Sequence, residues 1–387
     1  MALLGLSWRA GRAVVTIGHR GICSKALREV RDKPAPFDWK NKKYGLLRSL
    51  FLDRTSDRLD ENSKIVVVEG PVASGKTAFA KELASQLDML HMEDVNMDMY
   101  YINPGGYDMR QLDDQMPDDM KSFDETKFNL DPKHRNVAGF QAWMYRLRLS
   151  RYIDALAHVL STGQGIVIER TPWTDGVFTD AMCDHGYISK GARFTMNELK
   201  RCTLPMLMRP HLVIYLDVPV EQVQENIKKR NKFCEAKGKA LTTGYLETLE
   251  DNYKTKYLPK ISEHAELMIY DWGTPGDVEV VVEDIERLDL DQYGLYDTKM
   301  NDWYIPVEKY LAEKRMLYAD DKEQILSYLN VPTLEAPEMW VGGEDHKQWF
   351  EVWTSAPGNK YEHGYDPEST PLSSLLFKTK KNKYMAY

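Results

Sequence analysis

Ile65-Val66-Val67-Val68-Glu69 runs directly into Gly70-Pro71-Val72-Ala73-Ser74-Gly75-Lys76-Thr77, and this junction constrains the fold more than any other feature of the chain. An unbroken β-branched run suits a strand buried on both faces of a parallel sheet. The next eight residues satisfy G-x-x-x-x-G-K-[ST] in full. Beyond them Phe79, Leu83 and Leu87 recur at helical spacing. Strand, phosphate loop and helix in that order define a P-loop unit. Gly70 and Gly75 permit backbone angles that a Cβ disfavours. The loop N–H groups, that of Ser74 among them, can then converge on phosphate oxygens at the helix N-terminus. Lys76 supplies charge for the β and γ phosphates, and the Thr77 hydroxyl is a ligand for Mg²⁺.

Three more apolar runs follow, at 165–169, 211–217 and 265–271. Helical periodicity separates them over 137–160, 194–208, 220–230 and 244–263. Strands alternating with helices require βαβ crossovers, which predicts an α/β fold: a parallel sheet flanked by helices. Residues 94–135 are polar, acidic and rich in Gly, Pro and Tyr, which reads as a long insertion of the kind that covers a site. After Leu288 aliphatic residues thin out, and Trp303, Trp340, Trp349 and Trp353 scatter among Gly, Pro and charge. This is an irregular, aromatic-rich C-terminal extension that wraps the domain or anchors on partners. The expected organisation is a targeting segment and linker at 1–36, the P-loop domain at 37–287 and the extension at 288–387.

Other classes are excluded by composition. The net charge of −8 leaves no basic footprint for a nucleic acid polymer, so a small nucleotide is the expected ligand. No stretch approaches the ~20 apolar residues of a membrane-spanning helix. The four cysteines form neither a CxxC pair nor a zinc spacing. The first 28 residues contain Arg9, Arg12, Arg20, Lys25 and Arg28 and no acid, the composition of a mitochondrial transit peptide, and Glu29 ends that stretch. Lys33-Pro34-Ala35-Pro36 then reads as a linker.

The second apolar run ends in Glu169-Arg170-Thr171, which places a carboxylate and a guanidinium at the C-terminal edge of a parallel strand, where ligands bind. Glu169 is suited to orient Mg²⁺-bound water and Arg170 to hold a phosphate or hydroxyl. With the P-loop, the Glu169–Asp175 run and the Phe140-Gln141 pair, residues 63–271 resemble the deoxyribonucleoside kinase family. Over its full length the chain resembles accessory subunits of mitochondrial respiratory complex I (NADH:ubiquinone oxidoreductase).

The resemblance implies roles for further residues. Glu93 falls at the place of the kinase catalytic base, which accepts the proton of a substrate 5′-hydroxyl, with Arg170 beside it. Gln141 matches the residue that reads the nucleobase edge, with Arg148 and Asp175 near the nucleoside. Arg230 matches a phosphate-binding arginine of the lid. The lid also departs from the family: Asn226 and Lys232 stand at flanking positions where arginines are expected, and lysine does not replace a bidentate fork. Nucleotide binding can outlast fast phosphoryl transfer under such a change, because transition-state charge needs those clamps.

The resemblance therefore implies a non-catalytic accessory subunit that binds a purine nucleotide with Mg²⁺ and supports assembly or stability. Its partners would be other complex I subunits, on the matrix side of the inner membrane. The alternative is an active mitochondrial deoxynucleoside kinase using Mg-ATP. The family has also been associated with FAD, but no G-x-G-x-x-G follows a strand here.

Overall fold

A computed structural model describes residues 21–28, 32–45, 48–49, 52–294 and 296–359. Residues 1–20, which carry most of the expected targeting segment, and the lysine-rich 378–383 lie outside these. In chain order the regular elements of the first half are β1 (Ile65–Glu69), α1 (Lys76–Gln86), β2 (Leu90–Met92), α2 (Asp98–Tyr101), α3 (Glu125–Leu130), α4 (Val137–Thr162) and β3 (Ile166–Glu169). Then come α5 (Asp175–Asp184), α6 (Lys190–Thr203), β4 (Leu212–Asp217), α7 (Val220–Arg230), α8 (Phe233–Ala236) and α9 (Thr243–Asn252). The last are α10 (Leu258–Ser262), β5 (Glu266–Asp271), α11 (Val278–Glu286), α12 (Glu308–Ala319), α13 (Lys322–Ser327) and α14 (Gly343–Ser355).

The sheet runs β2-β3-β1-β4-β5 and every pairing is parallel. β1 is central: Val67 sits opposite Ile168 on one side and Val213 on the other. All five residues of β1 are buried, and each apolar side chain there contributes about 1.5–3 kcal/mol of burial. The β-branched run and the P-loop are thus placed at the middle of the sheet, with β3 and its Glu169 alongside. β2 was not legible in the sequence, because its three residues are too few to show a period.

α4 is the longest helix, with 26 residues, and its buried face includes Phe140, Gln141, Tyr145 and Arg148. It stops at Gly163, whose φ of 73° is left-handed and where an added Cβ would stand 2.0 Å from the Arg58 carbonyl oxygen. The 94–135 insertion is more regular than its composition suggests. Asp124 caps α3 by accepting from the Lys127 N–H at 2.9 Å, and Phe123 and Phe128 anchor the insertion against Phe140.

The extension wraps the domain, with α12 and α13 packing on α4. The Trp303 indole donates to the Arg209 carbonyl at 2.7 Å. Arg315 of α12 is fully buried, pairs with Asp53 at 3.1 Å and lies 3.7 Å above the Tyr44 ring. Arg58 pairs with the same Asp53 at 2.8 Å. Burial alone would raise the Asp53 pKa, but Arg315 and Arg58 hold it below the usual carboxylate range. Further along, the Tyr100 ring lies 4.0 Å from Trp143 and 5.3 Å from Trp353 of α14. The extension is also more helical than expected, and its aromatics pack both on the domain and on one another, as Trp349 does on Trp353 at 5.3 Å.

Packing starts ahead of residue 37, where the domain was expected to begin. Ile22 is fully buried, and Asn62 exchanges hydrogen bonds of 2.8 and 2.7 Å with the Cys23 backbone. Arg28, part of the basic stretch, pairs with Asp60 at 2.8 Å and Asp88 at 2.9 Å. One apolar residue fitting a notch leaves no trace in composition.

Candidate functional site

The P-loop closes around its own backbone. Gly75 takes φ 83° and an added Cβ there would meet nothing within 4 Å, so the turn needs glycine for its backbone angle. Ala73 also has positive φ, 57°. The Ser74 hydroxyl is buried and has no hydrogen-bond partner among the described residues. The Lys76 ammonium donates to the Pro71 carbonyl at 3.0 Å. Burial, and then the Arg170 guanidinium, push the Lys76 pKa down to about 7, with Asp94, Glu169 and Glu69 opposing. An orphaned hydroxyl and a destabilised ammonium at a helix N-terminus fit a phosphate chain.

Thr77 donates to Glu169 Oε2 at 2.7 Å, and His91 Nε2 lies 2.9 Å from Glu169 Oε1. The hydroxyl and the carboxylate expected at Mg²⁺ therefore stand side by side. Among the described residues no group of three or more His, Cys, Asp or Glu is arranged to hold a metal alone.

The residues expected to meet a nucleoside form a buried ionic network. Asp175 accepts from Gln141 Nε2 at 3.0 Å and from Arg148 Nη1 at 2.6 Å. Arg148 Nε donates to Asp94 Oδ1 at 3.1 Å, and Arg170 Nη1 to Asp94 Oδ2 at 3.3 Å. Phe178 lies under both guanidiniums, 4.6 Å from that of Arg170 and 5.7 Å from that of Arg148. Against the effect of burial, Arg148 and Arg170 hold the Asp94 pKa low. Burial dominates at Asp175 and raises its pKa. Arg170 itself sits at φ 57°, a strained angle for a side-chain-bearing residue and a mark of functional loops.

The structure thus brings Lys76, Thr77, Glu169, Arg170, Gln141, Arg148 and Asp175 to one crevice. Glu93 is not part of this hydrogen-bonded network: it is exposed and makes no hydrogen bond or ion pair among the described residues. Its neighbour Asp94 holds both arginines instead. A strand ending one residue earlier or later exchanges which acid faces the sheet, and so short a strand left that register open. Arg230 is also placed elsewhere, paired with Glu235, and Lys232 Nζ lies 3.9 Å from the same carboxylate. In the lid it is Asn226 that touches the P-loop, donating to the Ala73 carbonyl at 3.1 Å.

Sequence reasoning missed Glu69, the last residue of β1. It is fully buried, accepts from Thr174 and lies 3.4 Å from the hydroxyls of both Tyr253 and Tyr257. Burial raises its pKa to about 7. The only available signal was an acid closing an otherwise apolar run.

Residues 66–301 match the deoxynucleoside kinase family over more than half of the chain. The chain belongs to the deoxynucleoside kinase family. It is 40% identical over 328 residues to NADH dehydrogenase [ubiquinone] 1 alpha subcomplex subunit 10 of Mus musculus, covering 84% of this chain and 87% of that protein. The Rattus norvegicus protein of the same name is 36% identical over 329 residues, with the same coverages. These matches are longer than the whole 66–301 span can supply, so they take in chain beyond the kinase-like domain. A solved structure of deoxyadenosine kinase from M. mycoides with bound dATP aligns with a TM-score of 0.42 and 20% identity, covering 57% of this chain and 96% of that one.

Proposed function

We propose that this deoxynucleoside-kinase-family chain is an accessory subunit of mitochondrial complex I that binds a purine nucleotide and contributes to assembly or stability rather than to electron transfer. The observation that carries this reading is the likeness to complex I subunits across 84% of the chain, reaching into the extension. The wrap by α12 to α14 supports it, because the extension is built onto the domain and would travel with it into an assembly. The same likeness supports a mitochondrial location, and the acid-free N-terminus agrees with it; within the mitochondrion, the matrix side of the inner membrane is the placement we propose.

The nucleotide would be held by the P-loop N–H groups, the Ser74 hydroxyl and Lys76. Mg²⁺ would be held by Thr77 and Glu169 and would neutralise phosphate charge. The Gln141–Asp175–Arg148 cluster presents an amide and a carboxylate to a base or sugar. Fast transfer to a 5′-hydroxyl is not favoured: Arg230 is engaged by Glu235 and Glu93 stands outside the network. A bound nucleotide would then act by mass action, stabilising the folded subunit.

The test is complementation. Cells lacking this chain should lose assembled complex I, and the intact chain should restore it. Lys76→Ala should restore it only in part. Normal complex I in the deleted cells would overturn the reading. Phosphorylation of deoxynucleosides by the purified chain at ordinary kinase rates, ~1–100 s⁻¹, would favour the active enzyme instead.

A further inference from the structure

The first turn of α5 has two sides. Asp175 belongs to the nucleoside cluster, while Gly176, Val177 and Asp180 line a separate cavity of about 530 Å³ between α5, α6 and α10. That volume suits a small-molecule ligand. In a chain of net charge −8, the cavity wall carries Lys200, Arg201, Arg209, Lys256 and Lys260 against one acid, Asp180. Three of these cations have partners: Lys256 pairs with Asp180 at 3.0 Å, Arg201 with Glu198 at 2.7 Å and Arg209 with Asp302 at 3.0 Å. Among the described residues Lys200 and Lys260 have none within 4.0 Å.

Lys200 is the informative one. Its ammonium lies 2.9 Å from where a Cβ on residue 176 would stand, so glycine leaves the space the lysine uses. Burial lowers its pKa; Asp175 and Asp180 pull it up, and the charge of Lys260 pushes it down. A half-buried cation facing another cation is costly unless an anion joins them. Trp173 and Tyr257 supply an apolar wall beside the charges.

We propose that this cavity is a second anion site, binding a phosphate-bearing molecule with its phosphate on Lys200 and Lys260 and its body against Trp173 and Tyr257. It is distinct from the P-loop, and it stands whether or not the complex I reading does. The phosphate could belong to a soluble metabolite or to a lipid headgroup, and the test separates them.

The full chain carrying Lys76→Ala, which silences the P-loop, is titrated calorimetrically with inorganic pyrophosphate. Vesicles of phosphatidylglycerol, with phosphatidylcholine as control, form the second arm. Saturable binding in either arm is expected to weaken about tenfold or more in the Lys200→Gln/Lys260→Gln protein, as charge-assisted hydrogen bonds are lost. Binding in the first arm assigns a soluble phosphate; binding confined to the second assigns a headgroup. The same pair of substitutions in the otherwise intact chain should leave Mg-ATP affinity unchanged. Lys260→Glu, at an exposed position, gives the same direction if the double variant folds poorly. Absence of binding in both arms, or binding indifferent to these substitutions, overturns the proposal.

Discussion

The P-loop and the Asp53–Arg315 cluster are both buried or half-buried collections of charge, yet they are finished differently. Around Arg315 the charges pair with one another: two guanidiniums share one carboxylate and aromatic rings cover them, although Arg315 Nη1 has no hydrogen-bond partner among the described residues. Around Lys76 they do not. The Ser74 hydroxyl has no partner, and the Lys76 ammonium, resting on a backbone carbonyl, is pushed to a pKa of about 7. A closed cluster fixes chain to chain, whereas an open one is completed from outside. Four substitutions or measurements should separate the two.

Arg315→Ala should have the largest effect. It leaves Asp53 short of a partner in the interior and should cost about 3–5 kcal/mol of stability in denaturant unfolding. A loss under about 1 kcal/mol would mean the extension is not held by this cluster. Lys76→Ala should do the opposite, weakening Mg-nucleotide binding by about 2–3 kcal/mol while leaving ligand-free stability unchanged or higher. Unfolding of the ligand-free Lys76→Ala protein at a markedly lower temperature would make Lys76 a structural lysine.

The third expectation concerns protons. Free Lys76 titrates near 7, and a bound phosphate favours the ammonium, so above that pH nucleotide binding should take up close to one proton. Affinity should therefore fall as pH rises beyond 7. Calorimetry at pH 8 in buffers of different ionisation enthalpy reads the uptake directly, and proton release would refute it. In the ligand-free chain the sign is reversed. The unfolded lysine titrates near 10.5, so the unfolded state binds more protons between about 7 and 10.5, and Lys76 makes stability rise with pH across that window. The smallest effect should come from Asn226→Ala, which removes one hydrogen bond from lid to P-loop and should change nucleotide affinity by about fivefold at most.

Legibility in the sequence followed the same division. The P-loop, β1, β3 to β5 and the Glu169-Arg170 edge could be read because period and motif are local. Glu93 and Asp94 could not be told apart, because β2 has three residues and its register is set by β3 across the sheet. Arg230 could be aligned with a phosphate ligand, but its engagement by Glu235 depends on how the chain turns at Asn231, which has φ 49°. Arg315 lies in a helix of ordinary surface composition, and nothing near it in sequence announces that it is buried.

By itself, then, the sequence determined the βαβ order, the phosphate-loop motif and the residues we propose meet a nucleotide, since backbone freedom at Gly70 and Gly75 and the burial of a β-branched run are properties of adjacent residues. Tertiary structure decided which acid holds the arginines, where the lid cation goes and that Asp53 meets Arg315 across more than 250 positions. Those outcomes depend on which surfaces are buried together, and burial sets the strength of every charge pair in the molecule.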